Sequence, residues 1–199
     1  MAQRLRVLHV VDSMKLGGVQ TLLLSVLPRL AEFDVGCDLA VLHGPGLFSN
    51  AFAECGFPPV CLAASRWDPR IPWKLRALLR AKDPDIVHTH GAPSCLFSEW
   101  LRPPRLVEHL HHIRGGGGTG QRAMERCVYR KGNLLLACSR AAADSVSTPV
   151  ETRIIYNGIE PSRFRPPNAT ERTEARARYG FGADDFVLGM TGRVTVNKG

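Results

Sequence analysis

The sequence predicts an α/β fold: an open parallel sheet with helices on both faces. Two observations carry that reading. Short apolar runs alternate along the chain with longer stretches whose leucines recur at helical spacing. The runs RVLHVV (residues 6–11) and NLLLAC (133–138) are almost continuously apolar, as parallel strands buried beneath helices are, whereas a half-exposed strand would alternate.

The elements follow in order. Residues 6–11 form the first strand, and a glycine-containing loop, residues 12–18, leads into a helix over 19–32. A second strand spans 37–42, a turn 43–46, a short helix 47–55 and a third strand 59–62. A helix over 73–82 precedes the strand DIVHTH (85–90), which Pro84 introduces. Residues 92–101 are helical, 106–112 form a fifth strand, 121–131 a helix and 134–138 a sixth strand. The domain organisation read from this is a sheet domain over 1–164, a proline-, arginine- and glutamate-rich linker with a short helix over 165–184, and the start of another domain over 185–199. Its opening strand, beginning at Phe186, has no partners after it and would leave an unpaired edge, so the chain is expected to stop inside that second domain.

Composition narrows the classes. With 199 residues, 44% hydrophobic and 22% charged, the chain buries a sizeable core and is not disordered. Its most apolar run, Leu22 to Leu27, is broken by Pro28 and Arg29, far short of a membrane span. Arg4 and Arg6 precede an apolar segment that runs into Asp12 and Lys15, which reads as a strand and not as a signal peptide. Six cysteines without CxxC spacing read as reduced thiols, so the expected location is cytoplasmic, with room for peripheral association at the inner membrane face. The net charge of +8 favours anionic partners. No basic-aromatic repeat or recognition-helix pattern accompanies it, which puts nucleic acid last among them.

Several residues could carry chemistry. Gly17 and Gly18 stand where the first strand turns into a helix; the pair either serves a tight turn or lets backbone N–H groups approach an anion. His88 and His90 share one side of their strand and lie at its C-terminal end, where open α/β sheets bind ligands. The next strand adds His109, His111 and His112 at the same edge. Such imidazoles either ligate a metal or serve as hydrogen-bonded structural groups; no carboxylate set at recognisable spacing joins them. The glycine run 115–118 is either a mobile surface loop or one that orders over a bound acceptor. The stretch RIPWKLRALLR (70–80) is an amphipathic helix that either packs on the sheet or lies on an anionic membrane.

Six landmarks taken together resemble glycosyltransferase family 4, whose members are retaining enzymes of the two-Rossmann-domain (GT-B) type. They are RVLHVVDSMKLGGVQ, PDIVHTHG, LVEHLHH, ACS, IIYNGIEPSRF and GRVTVNKG, in order over nearly the whole chain. The resemblance implies the N-terminal, acceptor-side half of a GT-B fold, a nucleotide-sugar donor and no metal or other cofactor. It implies that Gly17, Gly18, Arg193 and Lys198 face the donor diphosphate, and that His111 lies beside the transferred sugar, with His109 or His112 as alternatives through a register slip. His88, His90, His109 and His112 are then candidates for the acceptor side of the site. The family's glutamate after the glycine pair is Gln20 here, and its aspartate after Asn157-Gly158-Ile159 is Glu160. The family's E-x7-E motif has no counterpart, so this chain by itself is expected to be inactive. The acceptor is left open, with a lean toward a lipid-linked or anionic molecule. Two other functions compete: a non-catalytic acceptor- or membrane-binding module, and a metal-dependent hydrolase built on the histidines.

Overall fold

In the computed structural model, which describes residues 4–15, 17–114 and 127–191, seven parallel strands form one sheet. They are β1 (Leu5–Val11), β2 (Val35–Val41), β3 (Val60–Cys61), β4 (Ile86–His90), β5 (Leu106–Leu110), β6 (Leu134–Ala137) and β7 (Thr152–Ile154). Their order is β3-β2-β1-β4-β5-β6-β7. The chain steps outward from β1 to β3, returns to the other side of β1 and steps outward again. The reversal between β1 and β4 is a topological switch point, and the crevice at the C-terminal ends of those two strands is where such sheets bind ligands.

Helices cover both faces, as the apolar strands require. On one face Leu8, Val10, Val87 and Leu106 pack with Ile71 and Leu75, one turn apart on α3 (Ile71–Lys82), and with Phe97 and Leu101 of α4 (Ala92–Leu101). This layer continues through Cys95, Leu110, Tyr129, Leu135 and Ala142, the last on α5 (Arg140–Asp144). On the opposite face Val11, Leu39 and Val41 meet Leu23 and Leu27 of α1 (Gly18–Leu30) and Phe52 of α2 (Phe48–Glu54). Burying each such leucine contributes about 2 kcal/mol. Among the described residues no helix is long and apolar enough to cross a membrane.

Two close approaches fix the loops at the C-terminal edge. The backbone N–H of Ser94, in the first turn of α4, donates to Asp12 Oδ1 at 2.9 Å and so ties the end of β1 to the helix after β4. The carboxylate fits because Gly91, at φ +119°, has no side chain: a Cβ there would lie 2.2 Å from Asp12 Oδ2. Gly46 is held in the same way against the β1 loop, since its Cβ would fall 1.9 Å from the Met14 carbonyl oxygen.

The chain divides into two compact units, Met1–Ile159 and Glu160–Gly199. The second contains a 3-10 turn (Pro161–Phe164) and α6 (Ala169–Arg178), whose start is closed by Asn168 and Glu171, each side chain accepting from the other's backbone N–H. Three expectations need correction. A seventh strand, Thr152–Ile154, joins the sheet edge although it has no apolar run, because β6 leaves one side free for pairing. The fifth strand stops at Leu110, short of His112: the Leu110 carbonyl accepts from Cys138, after which the neighbouring chain turns into α5. Residues 186–191, where a strand was expected to open, have no regular secondary structure, and Phe186, Leu188 and Met190 are exposed. A strand needs a neighbour to complete its ladder, and the described part of the second unit holds none. The glycine run 115–118 and most of the helix expected over 121–131 lie outside the described residues; Val128 to Lys131 follow as a bend.

Replacing Gly91 with alanine should cost about 2 kcal/mol or more, from the left-handed backbone and the clash with Asp12. Gly18→Ala, whose Cβ meets nothing within 4 Å, should change stability by less than about 0.5 kcal/mol. Urea unfolding of the two variants beside the parent checks the contrast.

Candidate functional site

The strand register builds a patch of imidazoles at the switch point. In parallel strands, residues paired across the ladder point to the same face. His9 of β1 pairs with His88 of β4, and His90 of β4 pairs with His109 of β5. His88 and His90 share a face because two residues separate them, and His111 follows just beyond the end of β5. The rings pack against one another: His88 and His109 lie 5.4 Å apart with planes 3° from parallel, and His109 and His111 3.9 Å apart. Hydrogen bonds thread three of them. His9 Nδ1 and His90 Nε2 are 3.1 Å apart, and His90 Nδ1 and His111 Nε2 are 2.9 Å apart. A neutral His90 donates through one nitrogen and accepts through the other, so the three rings share one direction of donation.

Burial sets their charge. His9 and His90 are almost wholly buried, His109 is buried, and His88 and His111 are half-buried. Loss of solvation comes first in lowering every one of these imidazoles, and repulsion among the rings adds to it for all but His109. His9 and His109 are pushed down to about 4 and His111 to about 3. All are therefore neutral at pH 7, able to exchange hydrogen bonds or give a lone pair, and unable to serve as cations.

The acidic groups nearby are equally displaced. Burial raises Asp12 to about 6, against the Ser94 hydrogen bonds and the nearby His112. On the other face of the sheet Glu108 is buried beside Glu99 of α4. Burial, then the Glu99 carboxylate, push Glu108 up to about 8, opposed in part by the N–H groups of Gly132 and Tyr129. Glu99 Oε1 accepts from the backbone N–H groups of Arg130 and Lys131 at 2.6 and 2.9 Å and so pins the bend beneath β5.

At the end of β1, Gly17 caps α1 with φ −172°, an extended conformation open to any residue, although a Cβ there would come 2.8 Å from Gln20 Oε1; a Cβ on Gly18 would meet only open space. The backbone of the turn therefore does not demand this glycine pair, though a side chain at position 17 would have to displace Gln20. What the pair leaves is an uncovered helix N-terminus with no acidic residue in its first turn. Gln20 donates from Nε2 to the Ser13 carbonyl at 2.6 Å, which locks the loop in a way glutamate could not.

The structure thus brings together four of the sequence-derived candidates, His88, His90, His109 and His111. His112 is exposed, Gly17 and Gly18 stand at the start of α1, and Arg193 and Lys198 lie outside the described residues. Sequence reasoning missed His9, hidden in a run read as apolar; a polar residue inside a buried strand was the available signal. It also missed Glu99 and Glu108, whose partners are set by tertiary packing.

Residues 16–163 match the family model for Glycosyltransferase Family 4. A curated relative, D-inositol 3-phosphate glycosyltransferase 1 of Catenulispora acidiphila, is 30% identical over 153 residues, which cover 66% of this chain and 36% of that protein. Among solved structures, Anabaena HepE in complex with UDP-glucose superposes with a TM-score of 0.71 at 16% identity, over 88% of this chain and 50% of that one. Sucrose-phosphate synthase from Thermosynechococcus elongatus gives 0.67 at 15% identity, over 91% and 54%. These two likenesses show the fold. The chain spans about half the length of the solved structures and 36% of the curated relative.

Glu108 gives the site's surroundings a testable pH dependence. Its folded-state value, about 8, lies above the ordinary 4.5, so its contribution is fully present below pH 4.5 and is lost as the pH rises toward 8. Glu108→Gln, which keeps a neutral side chain of the same shape, should match the parent at acid pH and exceed it by about 4 kcal/mol near pH 8, as read from denaturant unfolding across that range.

Proposed function

The chain belongs to glycosyltransferase family 4, and from that premise we propose that it forms the acceptor-side half of a retaining transferase that moves a sugar, a hexose or a close relative, from a nucleotide-sugar to an acceptor. The observation that carries the reading is His111: a neutral imidazole, hydrogen-bonded from behind by His90, at the C-terminal crevice of the sheet's switch point. With Nε2 engaged by His90, its Nδ1 is the atom left to address a hydroxyl of the transferred sugar. A neutral ring there orients the sugar without competing for the leaving group's negative charge. That charge, growing on the departing diphosphate, is met by the open N-terminus of α1 at Gly17 and Gly18 and by Arg193 and Lys198. In this reading the transfer step uses no metal and no other cofactor, since these groups supply the positive potential. His88, His90, His109 and His112 border the acceptor side.

The acceptor we infer is anionic or carried by a membrane, presented at the cytoplasmic face. Trp67 is exposed ahead of α3 and Trp73 in its first turn, the Arg66 guanidinium lies 4.6 Å from the Trp67 ring, and Trp67, Arg70 and Lys74 line one surface hollow. Exposed tryptophans beside cations suit an interface between apolar and charged layers. The same surface would serve the second reading, a binding module without catalysis.

The test is a protein in which this chain is followed by a donor-binding half after Gly199, assayed for nucleotide-sugar binding and hydrolysis beside the 199-residue chain. The joined protein should turn over and the chain alone should not. His111→Ala should lower turnover by about 100-fold with donor affinity held within a few-fold. Arg193→Ala and Lys198→Ala should each weaken donor binding by about 10-fold. Full turnover in His111→Ala overturns the assignment. Vesicle sedimentation checks the membrane reading: binding should require anionic lipid, and the Trp67→Ala, Trp73→Ala double variant should lose most of it.

A further inference from the structure

The histidines that stand behind His111 take no chemical step in that reaction, and their arrangement carries chemistry of its own. His88 and His90 lie two apart on β4, and the register sets His9 beside His88 on β1. One ring nitrogen from each of His9, His88 and His90 lies within 4.8 Å of the other two. The closest pair, His9 Nδ1 and His90 Nε2, is 3.1 Å apart. A tetrahedral zinc ion with Zn–N bonds of 2.0–2.1 Å spaces its nitrogens about 3.3 Å apart, so this pair already stands near coordination spacing.

The polar accounting points the same way. A neutral imidazole offers one donor and one acceptor, and burying either unmatched costs free energy. Among the described residues, His88 Nε2 is buried with no hydrogen-bond partner. The sheet face around the trio is occupied by Val11, Leu23 and Leu27 and by further imidazoles. A cation that takes the His88 lone pair removes this deficit. The outer shell is also in place: His90, ligating through Nε2, keeps Nδ1 at 2.9 Å from His111 Nε2, and a ligating imidazole needs such a partner for its second nitrogen.

We propose that His9, His88 and His90 form a binding site for one divalent transition-metal ion of the zinc class. Three neutral imidazoles select such an ion over magnesium or calcium, which prefer oxygen ligands. The half-buried His88 marks the approach from solvent, and a water or small anion fills the fourth position. A second trio, His90, His109 and His111, meets the same distance condition. We assign the ion to the inner one because it leaves His111 free for the sugar, a choice that rests on the function proposed above. The ion does not touch the leaving group. It fixes His90 as the donor to His111, and so is a positioning element.

The experiment needs neither donor nor acceptor, so it fails or succeeds independently of the transferase reading. The untagged chain is stripped with chelator, titrated calorimetrically with zinc chloride, and titrated with cobalt(II) while its visible absorption is followed. One ion per chain is expected, with a tetrahedral cobalt spectrum and a melting temperature that rises with zinc. His88→Gln should abolish binding, and His111→Gln should leave it intact. Absence of zinc binding by the folded chain overturns the proposal. So does binding that survives in His88→Gln but is lost in His111→Gln, which would place the ion in the outer trio. If His88→Gln lowers the melting temperature of the metal-free chain, His9→Gln, which also belongs to the inner trio alone, and the cobalt spectrum of the parent decide; a sulfur-to-cobalt charge-transfer band would assign the ion to cysteine and overturn the site.

Discussion

The hydrogen bond from Ser94 N–H to Asp12 is the constraint on which the rest of the site depends. It spans 82 residues of sequence and joins the loop after β1 to the helix after β4 at the point where the sheet reverses direction. Gly91 makes room for it, and His90 precedes Gly91 directly. The same contact that caps α4 therefore fixes the end of β4, and with it the ring that holds His111. A carboxylate at the helix N-terminus meets unpaired N–H groups and the positive end of the helix dipole, which offsets part of the penalty of burying it. Burial still dominates, and Asp12 is raised to about 6.

Around this joint the sheet trades apolar packing for imidazole. Val11 and the leucines of α1 fill one face beside β1 and β2, while toward β4 and β5 the same face carries His9, His88, His90 and His109. Stacked rings fill volume much as aliphatic side chains do, and their low affinity for protons keeps them uncharged. The cost is a set of ring nitrogens that the neighbouring side chains do not match. A structure that keeps such groups at the C-terminal edge of its sheet stores binding capacity there.

Much of the architecture was legible in the sequence, because alternating strands and helices with continuous apolar runs admit few folds. Ala92–Leu101 was expected to its ends, and β1, β4 and β6 to within a residue or so. The misses share a cause. Thr152–Ile154 has no pattern of its own and becomes a strand only because β6 offers an edge. His9 looks like one polar letter in an apolar word until the register sets it beside His88. Asp12 and Glu99 read only as members of a loop and a helix, since their partners are distant along the chain. Gly17 and Gly18 could be noticed but not interpreted: neither is required by backbone angle, Gly18 faces open space, and Gly17 makes room only for the Gln20 side chain.

The central claim is a directed chain of neutral imidazoles ending at His111, and nitrogen-15 NMR of the histidine rings in the metal-free protein tests it most directly. The account predicts that His9 and His111 stay neutral as the pH falls through 6.5 and gain protons only near 4 and 3, with a coupling across the His90–His111 hydrogen bond. A ring among them that titrates near its ordinary value of 6.5, or a His111 that rotates freely without that coupling, would contradict it.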